Sequence, residues 1–484
     1  MNNMLKAAMA ALIPALCSGA AYANSAATFQ LGADNDADTT QAGSGNDATV
    51  NQYGDRNNTR VQQSGTGNTA AVNNGFAGDE SNDTSVSVDQ SGADHLAEVD
   101  QSAVAGSGSA PYDVDVTQSG QAGHYADVDQ FDSTGALATV NQSGSVDFNE
   151  AVVLQDLVDG DSVSITQSGT LGYADVYQFD NAGLGASNTA TVTQSGENND
   201  AIITQVASSD AQASVQQSGV DALVTDASEI YQEGVDDAEA TSIQTGDGNN
   251  SLIDQVGAQI VRTSVTQSGA GNSSTVYNWD GSTLTVTVVQ AGDDNDVFVD
   301  QNGGGGDKTA TVTQDGNDNA ADVDQDAGGS FKTATISQSG ADNDADVDQF
   351  SMGDNQSVDL TQSGDNNDAD IEQLAGADHS VLATQSGNGD RLAVLQDNGD
   401  DLSATVTQAG LNSDVDIDQS GSWNQATVDQ SGERNDAFIT QDGLGLMATP
   451  NEAFITQVGG ETFSATITQT GGDANYSWIR QAGM

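Results

Sequence analysis

One cysteine stands in the whole chain, at position 17, so no internal disulfide can form and no paired-thiolate metal or redox motif is available. Proline is nearly as scarce, three residues in 484, which leaves long stretches free of the residue that cannot donate to a strand ladder. Lysine and arginine number nine against 72 aspartates and glutamates, for a formal net charge of −63. A surface of that sign repels phosphate backbones and anionic headgroups, so neither nucleic acid nor membrane insertion is expected. Aromatics are only 5% of the residues. Few aromatics and one-signed charge are also marks of disorder, but the near absence of proline and the fixed recurrence of Val, Ile and Thr oppose that reading. After the first 23 residues nothing approaches the ~18 consecutive apolar residues of a membrane-spanning helix.

Those first 23 residues stand apart. Lys6 gives a positive start, Ala7 to Leu16 an apolar run, and Ala21-Tyr22-Ala23 a small-x-small site before Asn24. This predicts a secretory signal peptide over 1–23, cleaved after Ala23. Cys17 follows Leu16, where a lipoprotein signal requires a small residue, so ordinary cleavage is favoured over lipidation. The exported chain then has no cysteine and eight bases.

What is present is a repeat. Gln194-Ser-Gly196-Glu-Asn-Asn199-Asp-Ala201-Ile-Ile-Thr-Gln205 returns as Gln430-Ser-Gly432-Glu-Arg-Asn435-Asp-Ala437-Phe-Ile-Thr-Gln441, and looser copies begin at Gln41, Gln63, Gln167, Gln314, Gln338, Gln362, Gln385 and Gln408. The two glutamines of a copy are mostly eleven positions apart, and a full unit takes about 22 to 28 residues, giving about 18 units from Gln41 to the C-terminus. A hendecad coiled coil shares the spacing. It fails on the Gly and Asn at the centre of each unit and on flanks of Val, Ile and Thr. Alternation decides: in Ala190-Thr-Val192-Thr-Gln194 and Ala321-Asp-Val323-Asp-Gln325 one face carries Ala, Val and Gln while the other carries Thr or Asp. Period two is a strand, and Gln-Ser-Gly-x-x-Asn between two such runs is turn chemistry.

Each unit therefore reads as strand, tight turn, strand, looser turn. Two short strands are marginal alone, but stacked units pair each strand with its counterpart at ~4.8 Å. The expected fold is all-β, a β-solenoid of two facing parallel sheets, with about 18 rungs in a rod roughly 85 Å long. Residues 24–40 read as a half-rung and 41–484 as the solenoid. Pro111 and Pro450 fall in the long gaps Gln101–Gln118 and Gln441–Gln457, where loops are expected. Inward amides should form hydrogen-bonded ladders, at Gln41, Gln52, Gln194, Asn199, Gln205, Gln314, Gln325, Gln338, Gln349, Gln362, Gln373, Gln430, Asn435 and Gln441. The turn glycines are Gly43, Gly196, Gly316, Gly340, Gly364 and Gly432.

The unit Gln-x-Gly-x-x-Asn-x-Ala-x-x-x-Gln resembles the curlin repeat of curli subunits, a family of secreted functional amyloids. Gln41, Gly43, Asn46, Ala48 and Gln52 fill it, as do Gln194, Gly196, Asn199, Ala201 and Gln205, and Gln430, Gly432, Asn435, Ala437 and Gln441. The resemblance covers nearly all of 41–481. It implies export across both membranes of a diderm bacterium, self-association into surface fibres, a part in adhesion and biofilm matrix, and assistance from a nucleator and secretion factors. The chain departs from the family in having about 18 repeats where familiar subunits have about five, and in its acidity. Several units are degenerate, among them Gln142–Gln155 and Gln217–Gln232.

Other candidate sites each have a plainer reading. Asp322 and Asp324, Asp346 and Asp348, and Asp370 and Glu372 should align in three successive rungs, where like charges cost about 0.9 kcal/mol per pair even in bulk water. They could bridge divalent cations or form a solvated face that limits aggregation. The sequence has no EF-hand loop and no Gly-Gly-x-Gly-x-Asp run, so no dedicated calcium site is expected. Thr191/Thr193, Thr311/Thr313, Thr405/Thr407 and Thr466/Thr468 give outward Thr-x-Thr pairs like those of ice-binding solenoids, but Asp115, Arg60 and Leu382 interrupt the array, and β-propensity explains them. His95, His124 and His379 lie in or beside turns without a recurring nucleophile partner, and Trp279, Trp423 and Trp478 read as surface or turn aromatics. No cofactor motif and no catalytic constellation are expected. Two functions remain: a structural fibre subunit, or a monomeric acidic adhesin or cation-binding solenoid with capped ends. Soluble solenoids need polar caps, and neither end of the pattern shows one, which favours the fibre.

Overall fold

A computed structural model describes residues 23–76, 80–105, 113–121, 123–144, 148–180, 187–219, 225–326, 328–350, 353–447, 449–460, 462–472 and 474–483. Nearly all of the expected signal peptide, and Pro111, lie outside these. Among the described residues every regular element is a strand, from β1 (Ser25–Leu31) and β2 (Asp36–Ser44) through β3 (Asp47–Tyr53) and β4 (Asn58–Thr66) to β37 (Ser464–Thr470) and β38 (Tyr476–Ala482). Odd-numbered strands build one sheet and even-numbered strands the other, nineteen strands in each. Pairing is parallel and in register between successive members, β1 with β3 and β2 with β4 at one end, Glu452–Val458 with β38 at the other. The fold is thus the expected β-solenoid. The segment expected to be a half-rung supplies all of β1 and most of β2.

The core follows from the period-two pattern. In Thr189–Glu197 the buried positions are Ala190, Val192 and Gln194; in Asn199–Val206 they are Asn199, Ala201, Ile203 and Gln205. One continuous cluster of Ala, Val and Ile, with Leu360 and Leu392, runs between the sheets from Ala48 to Ile467. A thin two-sheet core leaves room inside for small and β-branched side chains, which suits the strand preference of Val and Ile. A second small cluster, Ala211, Val235, Ala238, Ala258, Val261 and Leu284, fills the looser turn in mid-chain.

The tight turn has its own stereochemistry. The residue before the turn asparagine has positive φ, at Asn198 (56°), Asp318 (55°), Asp342 (55°) and Asn366 (58°), and Asn and Asp tolerate that region best after glycine. The turn glycines are fixed by stacking as well as by φ. Gly316 (φ 140°) and Gly340 (φ 108°) sit so close to the next rung that a Cβ would lie 1.9 Å from the Gly340 carbonyl oxygen and 2.0 Å from that of Gly364. Gly43, Gly196, Gly364 and Gly432 stand in the same column under the same restriction.

Candidate functional site

The inward glutamines form the most extended polar arrangement in the molecule. On the even sheet, each side-chain Nε2 donates to the Oε1 of the glutamine one rung further on, from Gln41 to Gln63 (2.8 Å), through Gln194 to Gln217 (2.9 Å) and Gln314 to Gln338 to Gln362 (2.9 and 2.8 Å), to Gln430–Gln457 (2.8 Å) and Gln457–Gln481 (2.7 Å). The second amide proton goes to main-chain carbonyls, as Gln194 Nε2 does to Tyr173 O at 2.7 Å. A buried amide needs all of its partners, and the stack supplies them without water. The degenerate units keep this pattern: Gln142 donates to Gln167 and Gln217 to Gln244, each at 2.8 Å.

The odd-sheet ladder runs the same way, for example Gln205 to Gln232 (2.9 Å), Gln325 to Gln349 (2.7 Å), Gln349 to Gln373 (2.8 Å) and Gln441 to Gln469 (2.8 Å). It is interrupted where Asn74 and Asn278 replace glutamine. At this position an asparagine falls one methylene short of the glutamine amide on the next rung. At both places a threonine on the opposite sheet fills the gap. Thr59 Oγ1 accepts from Gln52 Nε2 (3.0 Å) and Asn74 Nδ2 (2.8 Å), and Thr263 Oγ1 accepts from Gln255 Nε2 (2.9 Å) and Asn278 Nδ2 (2.7 Å). The cost is left on the far side of each break, where Gln101 Oε1 and Gln301 Oε1 are buried without a partner. Ser477 occupies the corresponding position in β38 and accepts from Gln469 Nε2 at 3.2 Å, where the ladder ends.

The turn asparagines form a third column with the opposite sense. Asn319 Nδ2 donates back to Asn295 Oδ1, Asn343 to Asn319 and Asn367 to Asn343, at 2.9–3.0 Å. Asn199 and Asn435 brace the turn through Ser195 O (3.0 Å) and Ser431 O (3.3 Å). His95 and His124 occupy this column. Their rings stack with centroids 5.0 Å apart, and each Nδ1 accepts a main-chain N–H, from His124 and Asn149 respectively. Burial lowers both ring pKa values, that of His124 to about 4 with His95 adding to the effect.

The looser turn holds what the sequence reading missed. Lys308 and Lys332 are fully buried and stacked in register. Lys308 donates to Asn302 O and, at 2.8 Å, to Gln325 O; Lys332 donates to Asp326 O and, at 2.7 Å, to Gln349 O. Burial drives the Lys332 pKa down to about 8, with Lys308 pushing the same way. The signal was available: Lys308-Thr-Ala-Thr-Val-Thr-Gln has the phase of Asn188-Thr-Ala-Thr-Val-Thr-Gln, so the lysine takes the inward place of an asparagine. His379 belongs to this column too, its ring Nε2 2.9 Å from Gly399 O.

The paired acids from Asp322 to Glu372 stand on the outer face, whereas Asp161, Asp226 and Asp390 are buried at inward turn positions, where each accepts a main-chain N–H. Asp322 registers with Asp346 and Asp346 with Asp370; Asp324 registers with Asp348 and Asp348 with Glu372. Burial and then neighbouring carboxylates raise Asp324 to about 6 and Asp348 to about 7. They are spread one per rung along a column. Among the described residues no group of three or more His, Cys, Asp or Glu side chains converges as a metal ion would require. No described helix is long and apolar enough to cross a membrane. Trp279 and Trp478 are exposed and Trp423 is half-buried.

Among curated proteins no sequence matches the chain. The family model of the curlin associated repeat matches at five separate places, residues 22–54, 185–219, 292–326, 353–387 and 411–443. Between these places the glutamine ladder and the glycine column continue without a change of register, so the intervening rungs are built as the same unit, and the five matches identify that unit as the curlin associated repeat.

Proposed function

We propose that this chain is a structural subunit of curli-like extracellular amyloid fibres, which grow by stacking copies head to tail, and that these fibres serve surface adhesion and biofilm matrix. The observation that carries the reading is the one-way sense of the ladders at open ends. Among the described residues β1 and β2 pair on one side only, as do β37 and β38. Unpaired rows of N–H and C=O template a further strand. Every glutamine of the even-sheet ladder before Gln481 donates toward the C-terminal end, so Gln481, with one amide proton on Ser464 O, has the other to direct outward, and Gln41 has an unused acceptor. Continuing the register sets Gln481 on Gln41 of the next copy, Gln469 on Gln30 and Asn475 on Asn35. Charge favours the same arrangement, since Arg480 comes within a rung of Asp36 and Asp38. Two N-terminal ends would oppose acceptor to acceptor and carboxylate to carboxylate. The family implies a nucleator and secretion factors as further partners, and a location outside the cell.

Electron microscopy and fibre diffraction of the purified protein over time test assembly. Fibres with a ~4.8 Å meridional reflection are expected; a protein that stays monomeric for days, even with seeds, sinks the proposal. Polarity is tested by mixing Thr40→Cys with Arg480→Cys under oxidation. Adjacent parallel strands bring their Cα atoms within the ~4.4–6.8 Å of a disulfide, so the mixed crosslink should dominate in fibres. Crosslinks of Thr40→Cys to itself would mean head-to-head docking.

A further inference from the structure

The two sheets present very different outer faces over the same length of rod. From Ser162–Thr170 to Ser403–Leu411, the even sheet has eleven successive strands with three outward columns before each ladder glutamine. In those columns only Glu239, Arg262 and Asp359 are charged, and the remainder are mostly Thr and Ser. On the odd sheet every outward position of Asp344–Gln349 and Asp368–Gln373 is acidic, and acids recur along the same stretch from Asp175 to Asp418. Directly behind those two strands, the even sheet shows Thr333, Thr335 and Ser337, then Ser357 and Thr361 beside Asp359.

We infer that the neutral Thr/Ser face of the even sheet is a docking surface for a second copy of this chain, pairing solenoids side by side. A chain of net charge −63 cannot bring its acidic sheet against another copy without strong repulsion. A cationic partner would choose the acidic sheet. The partner that fits the neutral face is therefore one that is itself acidic everywhere else, and a two-fold axis lying in the plane of the contact puts like face on like and leaves both acidic sheets in water. The size is right: eleven strands at ~4.8 Å by four residues of strand at ~3.3 Å give about 650–700 Å² per copy, close to the ~800 Å² each partner buries in a standard interface. The face also carries exposed apolar groups, Leu382 (51% exposed) and Val289 (37%), which pairing would cover. Threonine offers a methyl for packing and a hydroxyl that both donates and accepts, so the contact needs no charge.

The pairing is independent of stacking at the ends, and the test separates them. Mass per length of wild-type fibres at ~0.15 M salt, where the Debye length is ~8 Å, should correspond to two solenoids per cross-section. The triple variant Thr311→Asp/Thr335→Asp/Thr405→Asp should give fibres of one solenoid that still elongate. The control Thr275→Asp/Ala393→Asp/Leu395→Asp, with the same added charge on the odd sheet, should keep two. If the ends do not stack, sedimentation of unassembled protein reads the same property, with a wild-type dimer and a monomeric triple variant. A wild-type value of one solenoid, a triple variant that still pairs, or a control that loses pairing equally would each overturn the inference. Should the triple variant fail to fold, the wild-type value alone decides.

Discussion

At the scale of single residues, the ladders make buried amides depend on one another in a way that pairwise substitution can read. Thr59→Ala removes the hydroxyl that accepts from both Gln52 and Asn74; Gln52 Nε2 keeps the Asp36 and Asn57 carbonyls, whereas Asn74 Nδ2 loses its acceptor, at about 1–3 kcal/mol. Asn74→Gln in the same background restores the missing methylene and gives Gln101 Oε1 its donor. Urea melts of the two singles and the double should therefore show strong coupling, with the double more stable than Thr59→Ala alone. If the double is the least stable of the set, the threonine is not a substitute for the ladder. Outward residues should matter less. Gln194→Leu ought to cost more than Thr193→Leu, because Gln194 bonds to both neighbouring rungs whereas Thr193 is exposed.

At the scale of the turn and strand, the tight turn is the least forgiving part of the unit. Gly340→Ala forces a Cβ onto the Gly364 carbonyl oxygen and demands φ near 108° of an L-residue. A loss of about 2–4 kcal/mol is expected, against a few tenths for an outward Ser337→Ala; equal melting of the two variants would refute the stacked glycine column. This part of the molecule was open to reading in advance. Period-two alternation gives the strands, Gly-x-x-Asn the turn, and the even spacing of Gln314, Gln338 and Gln362 the parallel register, because a slip of one residue would turn every Val and Ile outward. The looser turn was not open in that way. Its length varies from rung to rung, so its inward position can be found only by counting back from the next glutamine. That is how Lys308 and Lys332, charged residues that composition assigns to water, came to be missed, and the hydroxyl of Thr59 likewise appears on an inward position only once the register is known.

At the scale of the whole molecule, acidity and burial set how stability follows pH. Asp324 and Asp348 have folded pKa values raised to about 6 and about 7, burial being the larger cause. A raised carboxylate favours the fold while protonated, and that contribution is lost as pH rises through the folded value. His124 acts oppositely: lowered to about 4, it costs stability as pH falls from 6.5 toward that value. The acids outnumber the histidines, so melting temperature should rise between pH 8 and pH 5.5. Asp324→Asn/Asp348→Asn should raise the pH 8 value and shrink the difference; a difference unchanged by the substitutions would place its cause elsewhere. Since the acids lie in columns rather than converging, Na⁺ and Ca²⁺ at matched ionic strength should stabilise alike. The Asn74/Thr59 and Asn278/Thr263 pairs carry a consequence for how such a chain lengthens. Where glutamine meets glutamine, a rung can be duplicated or deleted by recombination and every buried amide still finds its mate, so copy number there is free to drift. A breakpoint between Thr59 and Asn74, or between Thr263 and Asn278, would separate a substitution from its compensation, and those two joints should be inherited as indivisible blocks.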